Sequence, residues 1–171
     1  MASTVSSEQI SEFREKGVTV LRGVFSNWVD LLRKGVDANM ADPDPNARIY
    51  TGKDGGGRFF VDYCNWARIL EYKEFIFNSD AAAIGAELME SRQVQLFHEH
   101  VLVKEASTGV PTPWHQDAPY YCVDSAKTVS LWIPLDDVPR ETTPEFIPGS
   151  HKWNKFYRPQ RFDGSALNEN D

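Results

Sequence analysis

"VQLFHEHVLVK", residues 94–104, is where the sequence changes character. Apolar and β-branched residues crowd together here, and in an extended chain residues two apart share a side. Leu96, His98, His100 and Leu102 then fall on one face, with Lys104 next in the same series. "KTVSLWIPL" (127–135) and "EFIPGS" (145–150) follow as further strands, separated by loops rich in glycine and proline. The second half of the chain therefore reads as β.

The first half reads mainly as helix. Ser6 precedes Gln9 by three, the spacing of a capping box; Ile10 and Phe13 give an apolar stripe, and Gly17 is a natural stop. "VTVLRGVF" (18–25) is expected to be a strand. Ser26 can cap a second helix bearing Trp28, Val29, Leu32 and Val36, which ends before the two prolines of "ADPDPNA". Residues 66–79 and 80–91 read as two more helices, the latter opened by Ser79 or Asp80. "TGKDGGGRFF" (51–60) lacks the GxxxxGK[ST] order of a phosphate loop, so a flexible surface loop is expected. No internal repeat or linker appears. A single domain over residues 1–171, with helices on one side of an antiparallel sheet or barrel, is the simplest arrangement.

Composition narrows the function. The 171 residues suffice for one domain, and 41% hydrophobic and 12% aromatic residues suffice for a core. A net charge of -7 repels phosphate, which argues against nucleic acid and anionic lipid. No apolar run is long enough for a membrane span, and no signal peptide is evident. Cys64 and Cys122 are the only cysteines and form no CxxC pair, so buried or half-buried free thiols in a reducing, cytoplasmic compartment are expected.

The chemistry concentrates in "TPWHQDAPYY" (112–121). His115 and Asp117 stand two apart and can offer an imidazole nitrogen and a carboxylate oxygen to one ion, while Gln116 points away. Such a pair supplies two positions of the 2-His-1-carboxylate facial triad that suits non-haem Fe(II). A surface histidine hydrogen-bonded to a neighbouring aspartate uses the same two residues.

"FHEHVLVKEASTGVPTPWHQDAPYY", then "TVSLWIPLDDVPRET", then "FIPGSHKW", together with the opening "SEFREKGVTVLRGVFS", resembles the phytanoyl-CoA dioxygenase family of Fe(II)/2-oxoglutarate-dependent oxygenases over about residues 8–155. The resemblance implies a double-stranded β-helix, the cupin jelly-roll, with N-terminal buttressing helices (an α+β, mainly β class). It implies His115 and Asp117 as the first two iron ligands, Gln116 and Trp132 lining the 2-oxoglutarate pocket, and His100 and Lys104 on the cavity wall. The cofactors implied are Fe(II), 2-oxoglutarate and O2, and the reaction is hydroxylation of a small organic or lipid-like substrate. Related halogenases carry a small residue where Asp117 stands, so the carboxylate favours hydroxylation.

The family places its second histidine and its 2-oxoglutarate-binding arginine downstream of the PGSH segment, and neither occurs between that segment and Asp171 in the family's spacing. Relative to the family the chain is expected to be a front portion, with later core strands missing and self-association possible through open strand edges. His151 belongs to a structural turn in the family. His98, His100 and His115 could alternatively form a cupin-type zinc site, and a catalytically inactive binding or scaffold protein is the other alternative. "RETTPEFIPGSH" has Thr142, Thr143 and Pro144 where the family has a glycine turn. In "HKWNKFYRPQR", Lys152, Lys155, Arg158 and Arg161 form either a patch for an anionic substrate or a solvated loop.

Overall fold

A computed structural model describes residues 4–52, 55–125 and 127–167; Lys53 and Asp54 of the glycine-rich loop and the last four residues lie outside the described residues. The chain gathers into two compact units. The first takes Met1–Ala38, Trp66–Phe97 and Lys127–Asn154; the second takes Asn39–Asn65, His98–Ala126 and Lys155–Asp171.

Helices build the first unit. In α1 (Ser7–Lys16) the capping box forms as expected: Gln9 N–H donates to Ser6 Oγ, and Gln9 Oε1 accepts from Ser6 N–H. Gly17 closes the helix in the left-handed region at φ 80°. Nothing larger fits there, because a Cβ on Gly17 would lie 2.5 Å from His151 Nδ1. The "PGSH" turn docks on this helix end, with Gly149 N–H donating to Lys16 O and the His151 ring reaching Arg14 O at 3.2 Å. A structural task thus occupies His151.

The helix α2 (Val29–Ala41) follows a 3-10 turn, Ser26–Trp28, so Ser26 lies within that turn rather than capping the helix. Buried Gly35 lets the Tyr72 ring of α3 (Leu70–Asn78) approach to where a Cβ would be 2.6 Å away. Phe75 of α3 takes Phe25 and Trp28 edge-on at 5.1 and 5.5 Å. α4 (Ala81–Leu88) buries Ile84 and Leu88 with Val5, against Ile10, Phe13, Leu21, Val24, Phe25, Val129 and Leu131.

Three expected strands need correction. Residues 18–25 and 127–135 form no strand ladder among the described residues. Their apolar content is used for packing: Leu21, Val24 and Phe25 pack on the Val5–Ile84–Leu88 cluster, as do Val129 and Leu131. Alternation in 127–135 is real, since residues 129, 131, 133 and 135 are half-buried between exposed neighbours. A strand also needs a hydrogen-bonded neighbour, and none pairs with it among the described residues. Residues 145–150 likewise carry no ladder; Ser150 opens a 3-10 turn.

The second unit holds an antiparallel sheet of β1 (Arg48–Thr51), β2 (Arg58–Tyr63) and β3 (His100–Lys104), in the order β1-β2-β3. The first half of the chain is thus less purely helical than its sequence suggests, and of residues 94–104 only 100–104 form strand. The register pairs Phe59 with Lys104, Val61 with Leu102 and Tyr63 with His100. Those residues share one face; Phe60, Asp62 and Val101 are buried on the other.

The glycine run has a packing role. A Cβ on Gly56 would lie 2.1 Å from Ser107 O, and one on Gly57 would lie 2.3 Å from Ala106 O, so both glycines admit the turn after β3. Cys64 and Cys122 are free, as expected, but both are exposed rather than buried. No helix of the described residues is long and apolar enough to cross a membrane.

Candidate metal and co-substrate site

The site is built on the sheet face of the second unit. β3 presents His100, Leu102 and Lys104 in strand alternation. Tyr63, opposite His100, packs edge-on to it at 5.8 Å. The His98 ring lies 6.2 Å from that of His100, and Tyr121 is edge-on to His98 at 5.8 Å. Tyr63 and Tyr121 are lining residues that sequence reasoning missed. Tyr63 lay hidden in the unrecognised strand β2, and the neighbourhood of Tyr121 follows from tertiary folding alone.

Lys104 ends this face. Its ammonium stands 4.8 Å over the Phe59 ring and donates to Thr112 Oγ1 at 3.0 Å. Burial holds its pKa below the ordinary lysine value. Among the described residues no carboxylate pairs with it.

The segment 112–121 carries His115 and Asp117. The chain is not extended throughout: Asp117 has helical φ and ψ of -69° and -41° and opens a 3-10 turn, Ala118–Tyr120, with Pro119 inside it. The two side chains still meet, with His115 Nε2 3.3 Å from Asp117 Oδ1. On its other side His115 Nδ1 is 2.8 Å from the Pro113 carbonyl. A carbonyl only accepts, so Nδ1 carries hydrogen and the neutral ring turns its Nε2 lone pair towards Asp117. Two electron-rich atoms at that distance call for a cation between them, either a proton or a metal ion. For the proton, the hydrogen bond to Asp117 holds the His115 pKa above its ordinary value, against burial, which lowers it.

His100 behaves oppositely. The residue is exposed at the start of β3, with the Tyr63 and His98 rings beside its own. Burial first, then the nearby His98, lowers its pKa from 6.5 to about 4. The unfolded chain takes up this proton near 6.5 and the folded chain does not until about 4, so the folded state loses stability as pH falls through that window. His115 contributes the opposite sign, because a raised pKa stabilises the folded state at acid pH. Urea titrations at pH 7 and pH 5 are expected to show a smaller acid loss in His100→Gln than in the unmodified chain; equal losses would refute the assignment.

Gln116 turns its amide away from the His115–Asp117 pair, onto the backbone of residues 155–157. Trp132 belongs to the first unit and is 51% exposed. Arg161 of the basic tail is engaged locally, donating to Ala166 O and Leu167 O. Among the described residues no three His, Cys, Asp or Glu side chains converge on a metal position, so the zinc set of His98, His100 and His115 is not assembled.

Comparison with known proteins gives this geometry a setting. The family model described as phytanoyl-CoA dioxygenase (PhyH) matches residues 13–170. The chain belongs to the phytanoyl-CoA dioxygenase family. No curated protein and no solved structure matches it. Phytanoyl-CoA dioxygenase relatives are Fe(II)- and 2-oxoglutarate-dependent oxygenases with a cupin-type jelly-roll, and membership implies that class in general terms. The helices and the antiparallel sheet described above are consistent with such a fold.

Proposed function

We propose that this chain is a non-haem Fe(II)- and 2-oxoglutarate-dependent dioxygenase that hydroxylates a small organic or lipid-like substrate, with His115 and Asp117 as two of its iron ligands. The observation that carries this reading is the orientation of the His115 ring. Its Nδ1–H is held by Pro113 O, leaving Nε2 to face the Asp117 carboxylate at 3.3 Å. Metal-bound histidines are held in this way, with the other ring nitrogen donating to a carbonyl or carboxylate. An imidazole nitrogen and a carboxylate oxygen are also the donor types that Fe(II) accepts in a facial triad. The donors present therefore fit the metal.

Bound Fe(II), with 2-oxoglutarate and O2, supplies the oxidising power: the co-substrate loses CO2 to become succinate, and one oxygen atom enters a C–H bond of the substrate. The chain's own residues bind, orient and exclude water. Lys104 is assigned to a carboxylate of 2-oxoglutarate: its ammonium, held over the Phe59 ring and bonded to Thr112, has no carboxylate partner among the described residues. His100 stays neutral at pH 7 and, with Leu102, supplies wall. Trp132 is assigned to the co-substrate pocket on the family pattern. Gln116 enters through its place between the two ligands, since its amide is turned to residues 155–157. The sheet β1-β2-β3 is read as part of the double-stranded β-helix.

Succinate release tests the proposal. The full-length protein with Fe(II), 2-oxoglutarate and O2 is expected to form succinate, and His115→Ala or Asp117→Ala to reduce the rate by about 100-fold or more. Succinate formation unchanged in both variants would overturn it.

A further inference from the structure

Two side chains of the 112–121 segment do the work of a β-ladder. Gln116 Nε2 donates to Lys155 O at 2.9 Å, while its Oε1 accepts from Tyr157 N–H at 3.1 Å. Four residues on, the Tyr120 hydroxyl donates to Gln160 O at 2.6 Å and accepts from Gln160 N–H at 2.9 Å. Each side chain thus satisfies one backbone donor and one backbone acceptor of a segment about forty residues downstream. That segment is itself anchored: the Phe162 ring packs on Phe59 at 4.7 Å and on Tyr50 at 5.7 Å, both on the sheet face that carries Lys104.

Between the two fastening points stand Asp117 and the 3-10 turn it opens; immediately before them stands His115, whose ring the Tyr120 ring meets edge-on at 5.8 Å. A short segment pinned at Gln116 and at Tyr120 has little freedom left in the backbone that carries Asp117. With Pro113 O fixing the ring of His115, both donor atoms are then held before any ion arrives.

We propose that Gln116 and Tyr120 are positioning residues, a two-point clasp through which residues 155–160 aim His115 and Asp117. The proposal rests on the reading of those two residues as metal ligands. It gives Gln116 a task distinct from touching the co-substrate, and it gives the segment "KFYRPQ" (155–160) a part in loading the metal. Linkage makes the effect reciprocal: whatever the clasp adds to metal affinity, bound metal must return as stability of the clasp.

Two measurements on the whole protein test this. Without metal, hydrogen exchange is expected to find the Tyr157 and Gln160 amides protected. Gln116→Ala should release the first and Tyr120→Phe the second. Tyr120→Phe keeps the ring against His115 and removes only the hydroxyl. Gln116→Glu serves as a second variant, keeping the acceptor for Tyr157 N–H while losing the donor to Lys155 O.

In the second measurement Mn(II), used as an EPR-visible probe, is titrated into each protein. Tyr120→Phe and Gln116→Glu are expected to weaken Mn(II) about 10-fold with thermal midpoints nearly unchanged, and Mn(II) is expected to slow exchange at Tyr157 and Gln160. Mn(II) affinity unchanged in both variants, while His115→Ala loses it, overturns the positioning role alone. Undiminished Mn(II) binding by His115→Ala overturns the ligand reading and the positioning role with it. Rapid exchange at Tyr157 and Gln160 in the unmodified protein overturns the clasp itself.

Discussion

Alanine at Gly57 is expected to destabilise the protein by about 3 kcal/mol or more, within the range for a steric clash that nothing nearby can relieve. The added carbon would lie 2.3 Å from Ala106 O, 2.9 Å from Glu105 Cβ and 3.0 Å from Glu105 C. Two of those three atoms are backbone, so one chain segment must move. The segment that moves is tied into the site. Glu105 N–H donates to Arg58 O at 2.9 Å, and the Glu105 carboxylate accepts from Arg58 N–H and Nε at 2.8 and 2.9 Å. Lys104 is the next residue back. Chemical denaturation of Gly57→Ala beside Gly109→Ala checks the claim, because a Cβ on Gly109 meets nothing within 4 Å. Equal midpoints for the two variants would contradict it.

Replacing Asp62 by alanine is expected to cost about 3 kcal/mol, the scale for removing a buried charged acceptor and stranding its donors. Asp62 is 1% exposed. Its Oδ2 accepts from Asn39 Nδ2 at 2.7 Å and Asp44 N–H at 3.0 Å, and its Oδ1 from Tyr63 N–H at 2.9 Å. Burial pushes its pKa up; hydrogen bonds from Asp44, Asn39, Asn65 and Tyr63 outweigh that and leave it below 3.8. A depressed pKa stabilises the fold above 3.8 and ceases to do so as pH falls through the folded value. Asp62→Ala should therefore lower the denaturation midpoint at pH 7 and flatten the most acid part of the stability curve. A midpoint within experimental scatter of the unmodified protein would show that the network contributes little. Because Tyr63 follows Asp62 directly and faces His100, loss of this anchor is also expected to loosen the aromatic wall.

Local chemistry was legible where it was self-contained. Ser6, Gln9 and Gly17 specify both ends of α1 within a dozen residues, and the structure uses all three. The meeting of His115 and Asp117 also follows from their spacing, although Asp117 turns helical instead of continuing the extended chain.

What failed was whatever depends on a distant partner. β2 escaped notice because Phe59, Phe60 and Val61 are buried on both faces and so do not alternate, and because a glycine run precedes them. Residues 127–135 alternate correctly yet form no ladder among the described residues, since alternation records which side is buried and says nothing of a neighbour. The glycine-rich loop read as flexible because its reason for being glycine, the backbone of residues 105–108, lies some fifty positions downstream. The bonds of Gln116 and Tyr120 to residues 155–160 were illegible for the same cause.

The central claim is that His115 and Asp117 are ligands of Fe(II). Anaerobic addition of Fe(II) and 2-oxoglutarate to the full-length protein, followed by visible absorption, addresses it most directly. A weak metal-to-ligand charge-transfer band is expected, absent from His115→Ala and from Asp117→Ala, with the fold of each variant verified by circular dichroism. A band of undiminished intensity in both folded variants, or none in the unmodified protein, would contradict it.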